Sequence, residues 1–215
     1  AGHYVMRTGW DREALWALVD AGPYGAAHQH EDKLNIELYA YGTRFVLDPG
    51  IASYLDDPLT HHQRATAAHN TVLVDGLGQD RRTTVPRARY RVEEPEPARW
   101  GSTARLDYLW AEYADGYRGL SLEESPTHGR LVLFWKPHFW LVWDALLGAG
   151  EHEMSALWHW GPMLVQEQPG GVVRSNRLGL ANLELLPIDA PDGVDILCGE
   201  QDPVQGWLTV SEPAR

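Results

Sequence analysis

Short segments in which apolar and polar residues alternate constrain the fold of this chain more than any other feature. In the segment 34–41, Leu34, Ile36 and Leu38 fall on one face and mostly polar residues on the other. This period of two is typical of a half-buried strand. Further segments that predict strands lie at 70–74, 87–92, 104–113, 154–160, 172–175 and 180–186. The chain is therefore predicted to be all-β.

Two apolar runs, 131–135 and 139–143, flank Lys136-Pro137-His138 and predict a hairpin. Many short strands separated by Gly, Pro and Asp are typical of stacked antiparallel sheets. We predict a large antiparallel β-sandwich, jelly-roll-like, that forms one domain over residues 1–215. The tryptophans of the apolar segments are expected to fill the core between the sheets: Trp135, Trp140, Trp143, Trp158 and Trp160.

Composition excludes several classes of protein. The net charge of -12 argues against nucleic acid as the main partner. No run approaches the roughly 18 apolar residues of a membrane span, so no membrane partner is predicted. The single cysteine, Cys198, excludes an internal disulfide and, because it lies in an apolar run, is expected to be buried.

The charge is unevenly distributed along the chain. Residues 61–91 carry six basic and two acidic side chains, whereas the segments on either side are acidic. This stretch could attract an anionic ligand. A solvated arginine-rich strand and turn explains the same pattern equally well.

Histidines and aspartates at predicted strand ends indicate a metal site. His28, His30 and Asp32 share a parity, so an extended backbone would place their side chains on one face. Asp48 follows an apolar strand, and His69 precedes another. Imidazole and carboxylate ligands without thiolate suit Zn²⁺, and Mn²⁺ and Fe²⁺ are also compatible.

The first 80 residues contain several ordered motifs: Gly22-Pro-Tyr-Gly25-Ala-Ala-His28-Gln-His30-Glu-Asp32, Leu47-Asp48-Pro49-Gly50, Ser53-Tyr54, and Arg64-Ala-Thr-Ala-Ala68-His69-Asn70-Thr71. With these motifs the sequence resembles the heparinase II/III-like polysaccharide lyases. A weaker likeness continues through Arg130-Leu-Val-Leu-Phe and Val142-Trp-Asp144. The resemblance implies a helical toroid followed by a β-sandwich. We expect this chain to be the sandwich alone, without the toroid, and its C-terminal end could be truncated.

The resemblance also implies a reaction and roles for individual residues. Such lyases cleave uronic-acid polysaccharides by β-elimination, in which a base removes the C5 proton and the O4 group departs. A toroid tyrosine, helped by an Asn or His, usually serves as acid and often as base. The chain alone is therefore expected to be inactive. By resemblance, His28 reaches the cleft, Tyr54 contacts substrate, and His30, Asp48 and His69 bind a mainly structural Zn²⁺. Arg64 matches a recurrent arginine of the family, which implies either contact with the substrate carboxylate or a structural role.

The partners implied are an anionic uronate polysaccharide and the N-terminal toroid domain, and the predicted location is periplasmic or secreted. Two alternatives remain open. In a cupin-like metalloenzyme, His28 and His30 would begin the metal motif, although the expected glutamate is absent and Glu37 comes late. In a non-catalytic carbohydrate-binding module, exposed aromatic residues would stack on sugars.

Overall fold

The computed structural model describes residues 2–51, 55–91 and 96–208, and its regular structure is mostly antiparallel β-sheet. Two short α-helices, α1 (Pro58–Arg64) and α2 (Arg81–Thr84), and 3₁₀ turns at Thr66–Ala68 and Arg87–Arg89 interrupt the strands. The strands are β1 (His3–Arg7), β2 (Trp16–Asp20), β3 (Ile36–Ala40), β4 (Thr43–Val46), β5 (Val72–Val74), β6 (Ala98–Ser102), β7 (Leu106–Tyr113), β8 (Thr127–Trp135), β9 (Phe139–Leu147), β10 (Met154–Ala156), β11 (Val165–Gln168), β12 (Val172–Ser175), β13 (Glu184–Leu185), β14 (Glu200–Gln201) and β15 (Val204–Gln205).

The N-terminal sheet orders its strands β1-β2-β3-β4, each antiparallel to the next. The alternation predicted for 34–41 is present, because Ile36, Leu38 and Ala40 are buried and the residues between them are half-exposed. Tyr41 and Gly42 both have positive φ, 50° and 76°. That conformation suits a two-residue hairpin turn, which matches the twist of the flanking strands.

A second four-stranded sheet has the order β6-β7-β8-β9. Its β8–β9 pair is the predicted hairpin, extended in register from Thr127 opposite Leu147 to Trp135 opposite Phe139. The inner faces of the two large sheets share one hydrophobic core, which supports the predicted sandwich. Buried residues that contribute to this core include Met6, Val19, Ile36, Leu38, Leu109, Tyr113, Val132 and Phe134.

The smaller sheets contain the remaining strands. β5 pairs with β10, β11–β13 form a three-stranded sheet, and β14 pairs with β15. The β5–β10 pair connects the histidine-rich part of the chain to the segment after β9. The predicted strands at 70–74, 104–113, 154–160, 172–175 and 180–186 all contain observed strands.

Not all of the five tryptophans named above fill the core as expected. Trp140 and Trp158 do pack against it. In contrast, Trp135 and Trp143 are 46% and 56% exposed, because they lie on the outer face of β8 and β9. The expectation was wrong for these two residues, because the runs 131–135 and 139–143 place apolar side chains on both faces of the sheet.

Three other local expectations need correction. The predicted strand at 87–92 is, in its described part, a 3₁₀ turn that follows Pro86 and closes through a bond from Tyr90 N to Arg87 O. Cys198 is exposed, because its apolar run lies outside the described strands. Helix α1 was not predicted, although Asp57 caps it and Pro58 begins it as such residues commonly do.

Candidate functional site

His30, Asp48 and His69 converge, although they come from three separate segments of the chain. One ligand atom from each lies within 4.8 Å of the others. His69 Nδ1 is 2.9 Å from Asp48 Oδ2, and the His30 and His69 rings are 5.3 Å apart between centroids. His69 is fully buried, and the other two are half-buried. The cluster is therefore partly open to solvent.

The β3–β4 hairpin positions Asp48. This residue lies two positions after the end of β4, and its Oδ2 accepts a hydrogen bond from Asn35 Nδ2 at 3.0 Å. Its Oδ1 accepts one from Gly50 N at 2.8 Å. Both carboxylate oxygens are thus held by groups that flank the hairpin, so the carboxylate orientation is fixed before any ligand binds.

Asn70 positions His69. The 3₁₀ turn Thr66–Ala68 ends at His69, whose N–H donates to Thr66 O. Asn70 then donates from its backbone N to Asn35 Oδ1 at 2.7 Å and from Nδ2 to Leu47 O at 2.8 Å. The His-Asn pair of the motif therefore consists of one cluster residue and one residue that holds it.

The loop that carries His28 and His30 is not a strand. His28 has φ of 54°, a left-handed conformation, which breaks the alternation on which the shared face was predicted. Asp32 points to Arg81, with its Oδ1 2.8 Å from Arg81 Nη2, and does not join the cluster. The common face expected for His28, His30 and Asp32 was wrong for this reason.

Residues 79–81 hold this loop in place. The Gln79 amide bonds Lys33 twice, accepting from its N at 2.9 Å and donating to its O at 2.8 Å. Arg81 is almost completely buried and donates to His30 O at 2.7 Å. Arg81 also forms an ion pair with Glu31. No sequence motif distinguished Gln79 or Arg81, because their partners lie about fifty residues away.

The pKa shifts of the three residues describe the charge of the cluster. Burial alone would lower the pKa of His69, but the hydrogen bond and charge of Asp48 raise it. Burial alone would raise the pKa of Asp48, but the hydrogen bond and charge of His69 lower it overall. Burial and the neighbouring His69 lower the pKa of His30, which favours the neutral imidazole that metals require. His69 Nε2 is buried and has no hydrogen-bond partner among the described residues. Two imidazoles and one carboxylate are a donor set that Zn²⁺ accepts.

The remaining predicted site residues have different positions. His28 is exposed and lies outside the His30–Asp48–His69 cluster. Arg64 ends α1, its carbonyl accepts from Glu31 N at 2.9 Å, and its charge contributes to lowering the pKa of His30. Tyr54 lies outside the described residues. Arg64 is therefore close to the cluster, and its contact with substrate stays a prediction.

Two further histidines lie beside the cluster. His62 is buried on α1, and burial together with His69 lowers its pKa. His159 donates from its backbone N to Asn70 Oδ1, and burial followed by the effect of His69 lowers its pKa to about 4. His159 follows Trp158 in an apolar segment, so the sequence carried no signal beyond its residue type.

A buried ion pair connects the second sheet to the cluster. Arg130 on β8 bonds Asp144 on β9 through Nε at 2.7 Å and Nη2 at 3.0 Å. Arg130 Nη1 donates to two backbone carbonyls, Leu34 O and Asn70 O, each at 2.6 Å. His128 Nε2 is 2.7 Å from Asp144 Oδ1. The Arg130 guanidinium thus connects the second sheet to Asn70, the residue that follows His69.

Comparison with known proteins identifies the class. Residues 1–206 match the family described as Heparinase II/III-like, C-terminal, and the chain belongs to that family. A heparin-sulfate lyase of Pedobacter heparinus is 28% identical over 163 residues, which cover 74% of this chain and 22% of that protein.

Solved structures agree on the fold. The crystal structure of the heparan sulfate lyase HepC from Pedobacter heparinus matches with a TM-score of 0.69 at 24% identity, over 89% of this chain and 28% of that one. A heparinase III structure matches with a TM-score of 0.63 at 18% identity, over 85% and 27% of the two chains. This chain therefore spans less than a third of the length of these relatives.

Proposed function

We propose that this chain is the β-sandwich portion of a polysaccharide lyase that cleaves uronic-acid-containing polysaccharide by β-elimination. Family membership over residues 1–206 carries the proposal. The relatives named as heparin-sulfate and heparan sulfate lyases support it, and they suggest a sulfated uronate polymer as substrate. The convergence of His30, Asp48 and His69 beside the His28 loop adds a site of suitable chemistry.

The reaction needs a base for the C5 proton and groups that stabilise the charge that develops on the uronate carboxylate. In this proposal His28 supplies one such group, because its imidazole is exposed on the loop that precedes His30. Arg64 contacts the carboxylate or supports His30, and Tyr54 contacts substrate. The acid and base come from a helical toroid domain that forms the opposite wall of the cleft.

We further propose that His30, Asp48 and His69 hold Zn²⁺. The metal would mainly connect the three segments and shape the wall of the cleft. The chain's own residues hold the ligands in place without it, through Asn35 to Asp48 and through Asn70 next to His69.

Removing the metal should lower stability, because ligands from three segments couple binding to folding. At a metal concentration about a hundred times the dissociation constant, binding contributes about 3 kcal/mol. In a domain of this size that corresponds to a fall of about 5–10 °C in Tm on treatment with a chelator. Metal analysis and thermal unfolding, with and without chelator, measure this effect.

His69→Ala should abolish the effect of the chelator. His61→Ala is the matched control, because His61 is exposed and pairs with Asp56 at 2.6 Å outside the cluster. Protein purified without chelator that contains no metal, or a chelator effect that survives His69→Ala, would contradict the zinc assignment.

The intact protein should release 4,5-unsaturated product from a uronate polymer, whereas the isolated chain should release little or none. The reason is that the proposed acid and base lie in the toroid domain. Ultraviolet absorbance of the unsaturated sugar, measured on heparan-type and alginate-type polymers, tests both statements. Robust turnover by the isolated chain would place the acid and base within it and overturn the proposed division of roles.

The proposal also includes the location of the protein. A periplasmic or secreted location suits a polymer substrate. In the described part of the chain, no helix has the length and apolar character needed to cross a membrane.

The cupin alternative loses support, because the described strands form open sheets. Binding of an oligouronate by the intact protein without unsaturated product would favour a carbohydrate-binding module.

A further inference from the structure

The segment 81–91 reverses the charge of an otherwise acidic chain. It contains five arginines and no acidic residue, whereas the whole chain has a net charge of -12. The structure divides these arginines into two groups. Arg81 is buried and neutralised by Glu31 and Asp32. The other four, Arg82, Arg87, Arg89 and Arg91, are exposed.

This segment is attached to the His28 loop at both ends. At one end, Arg81 donates to the carbonyl of His30 at 2.7 Å. At the other end, Gly25 N donates to Tyr90 O at 2.7 Å, and the Tyr24 and Tyr90 rings meet edge to face with centroids 5.0 Å apart. The exposed arginines therefore lie on the same wall of the molecule as His28.

Internal contacts hold the backbone between these two attachment points. Tyr90 Oη donates to Arg82 O at 2.9 Å, which closes the segment on itself. The 3₁₀ turn Arg87–Arg89 sits between them, and Arg89 N donates to Pro86 O. The acidic run that follows includes Glu96, whose carboxylate is already paired with Lys33 at 3.0 Å. The guanidinium groups are thus presented on a supported backbone.

We propose that Arg82, Arg87, Arg89 and Arg91 form a subsite for the anionic groups of a sulfated uronate chain, next to the sugar that His28 contacts. The proposal rests on the proposed function and names the substrate feature that this wall selects. Guanidinium groups bind sulfate and carboxylate through paired hydrogen bonds, which suits a polymer with several anionic groups on successive sugars. The acidic remainder of the chain would repel such a polymer elsewhere and confine it to this wall.

The double variant Arg87→Gln/Arg89→Gln in the intact protein tests the subsite. Its matched control is Arg12→Gln/Arg105→Gln, which removes the same charge from two exposed arginines in the turns after β1 and β6. The probes are heparan sulfate and the same polymer after chemical desulfation. Dissociation constants at low and high salt, together with kcat and KM, provide the comparison.

We expect the double variant to bind heparan sulfate about fivefold more weakly at low salt, since each exposed charge contributes a modest amount. KM should rise by a similar factor and kcat should stay near that of the parent. The loss should shrink at high salt, because salt screens exposed charges. The desulfated polymer should show a smaller change, and the control variant should behave like the parent.

The outcomes separate the subsite from the lyase proposal. A parent that cleaves the polymer and a double variant that binds equally well overturn the subsite alone. An equal loss in the control variant also overturns it, because net charge would then explain the effect. Arginine-dependent binding without cleavage by the parent supports the subsite and overturns the lyase proposal. A parent that binds neither polymer overturns both.

Discussion

Asp144→Asn should reduce the free energy of unfolding by about 3–5 kcal/mol, the usual cost of breaking a buried ion pair by removing one partner. Asp144 is 8% exposed and Arg130 is 1% exposed, so the unpaired guanidinium could not be hydrated without opening the core. The variant keeps the shape of the side chain, and the effect therefore reports the charge. Denaturant unfolding of parent and variant measures it.

The chain contains a matched control for this prediction. Arg174 and Glu184 also form an ion pair between neighbouring strands, at 3.3 Å, but both are about half-exposed. Glu184→Gln should therefore cost at most about 1 kcal/mol. If the two variants lose similar free energies of unfolding, burial of Arg130 and Asp144 does not raise the cost of breaking their ion pair.

The effect of Asp144→Asn should also depend on pH. Burial alone would raise the pKa of Asp144, but the Arg130 charge and the bond to His128 hold it well below its usual range. A carboxyl with a depressed folded pKa stabilises the protein above its unfolded pKa, about 3.9, and loses that effect as the pH falls further. The difference in stability between parent and variant should therefore be complete near neutral pH and shrink below about pH 4.

In the intact protein, the proposed role of His28 predicts that His28→Asn lowers kcat by about 10²–10⁴-fold while metal content and Tm stay near those of the parent. A positioned group that stabilises charge in the transition state commonly contributes an effect of this size. Asn is a better probe than Ala, because His28 has φ of 54° and Asn tolerates this conformation. Any loss of activity then reflects the imidazole and not a strained backbone.

His30→Ala provides the comparison two residues away. His30 belongs to the proposed ligand set, so its loss should release metal and lower Tm as well as activity. Metal analysis, thermal unfolding and product absorbance on both variants complete the test. If the two variants lose zinc equally, His28 is also a ligand, and the separation of roles proposed for the two histidines is wrong.

The sheets and the cluster were predictable from sequence to different degrees. Alternation in 34–41 and the hairpin around 136–138 follow from local pattern, and both are confirmed. His30, Asp48 and His69 were assigned by resemblance, and the structure brings them together, while their role as ligands stays a prediction. Local spacing failed at 28–32, because a left-handed residue interrupts the strand period.

The supporting contacts of the site could not be predicted. Arg130 reaches carbonyls 96 and 60 residues away in the sequence, and Arg81 reaches partners about fifty residues away. An arginine within an apolar strand or a basic run has the same local pattern whether it is buried or solvated. Only the fold brings the carbonyl groups to it, and backbone carbonyls have no signature in the sequence.

The bonds from Arg130 to the carbonyls of Leu34 and Asn70 also bear on how the molecule moves. Local opening around His69 would have to break contacts with the core of the second sheet, so this region should open only when the sheet itself unfolds. The 25–29 loop is attached through Gly25 to Tyr90 of the arginine segment. In the proposed cleft, adjustment to polymers of different shape would then come from the exposed arginine side chains, on a backbone that stays in place.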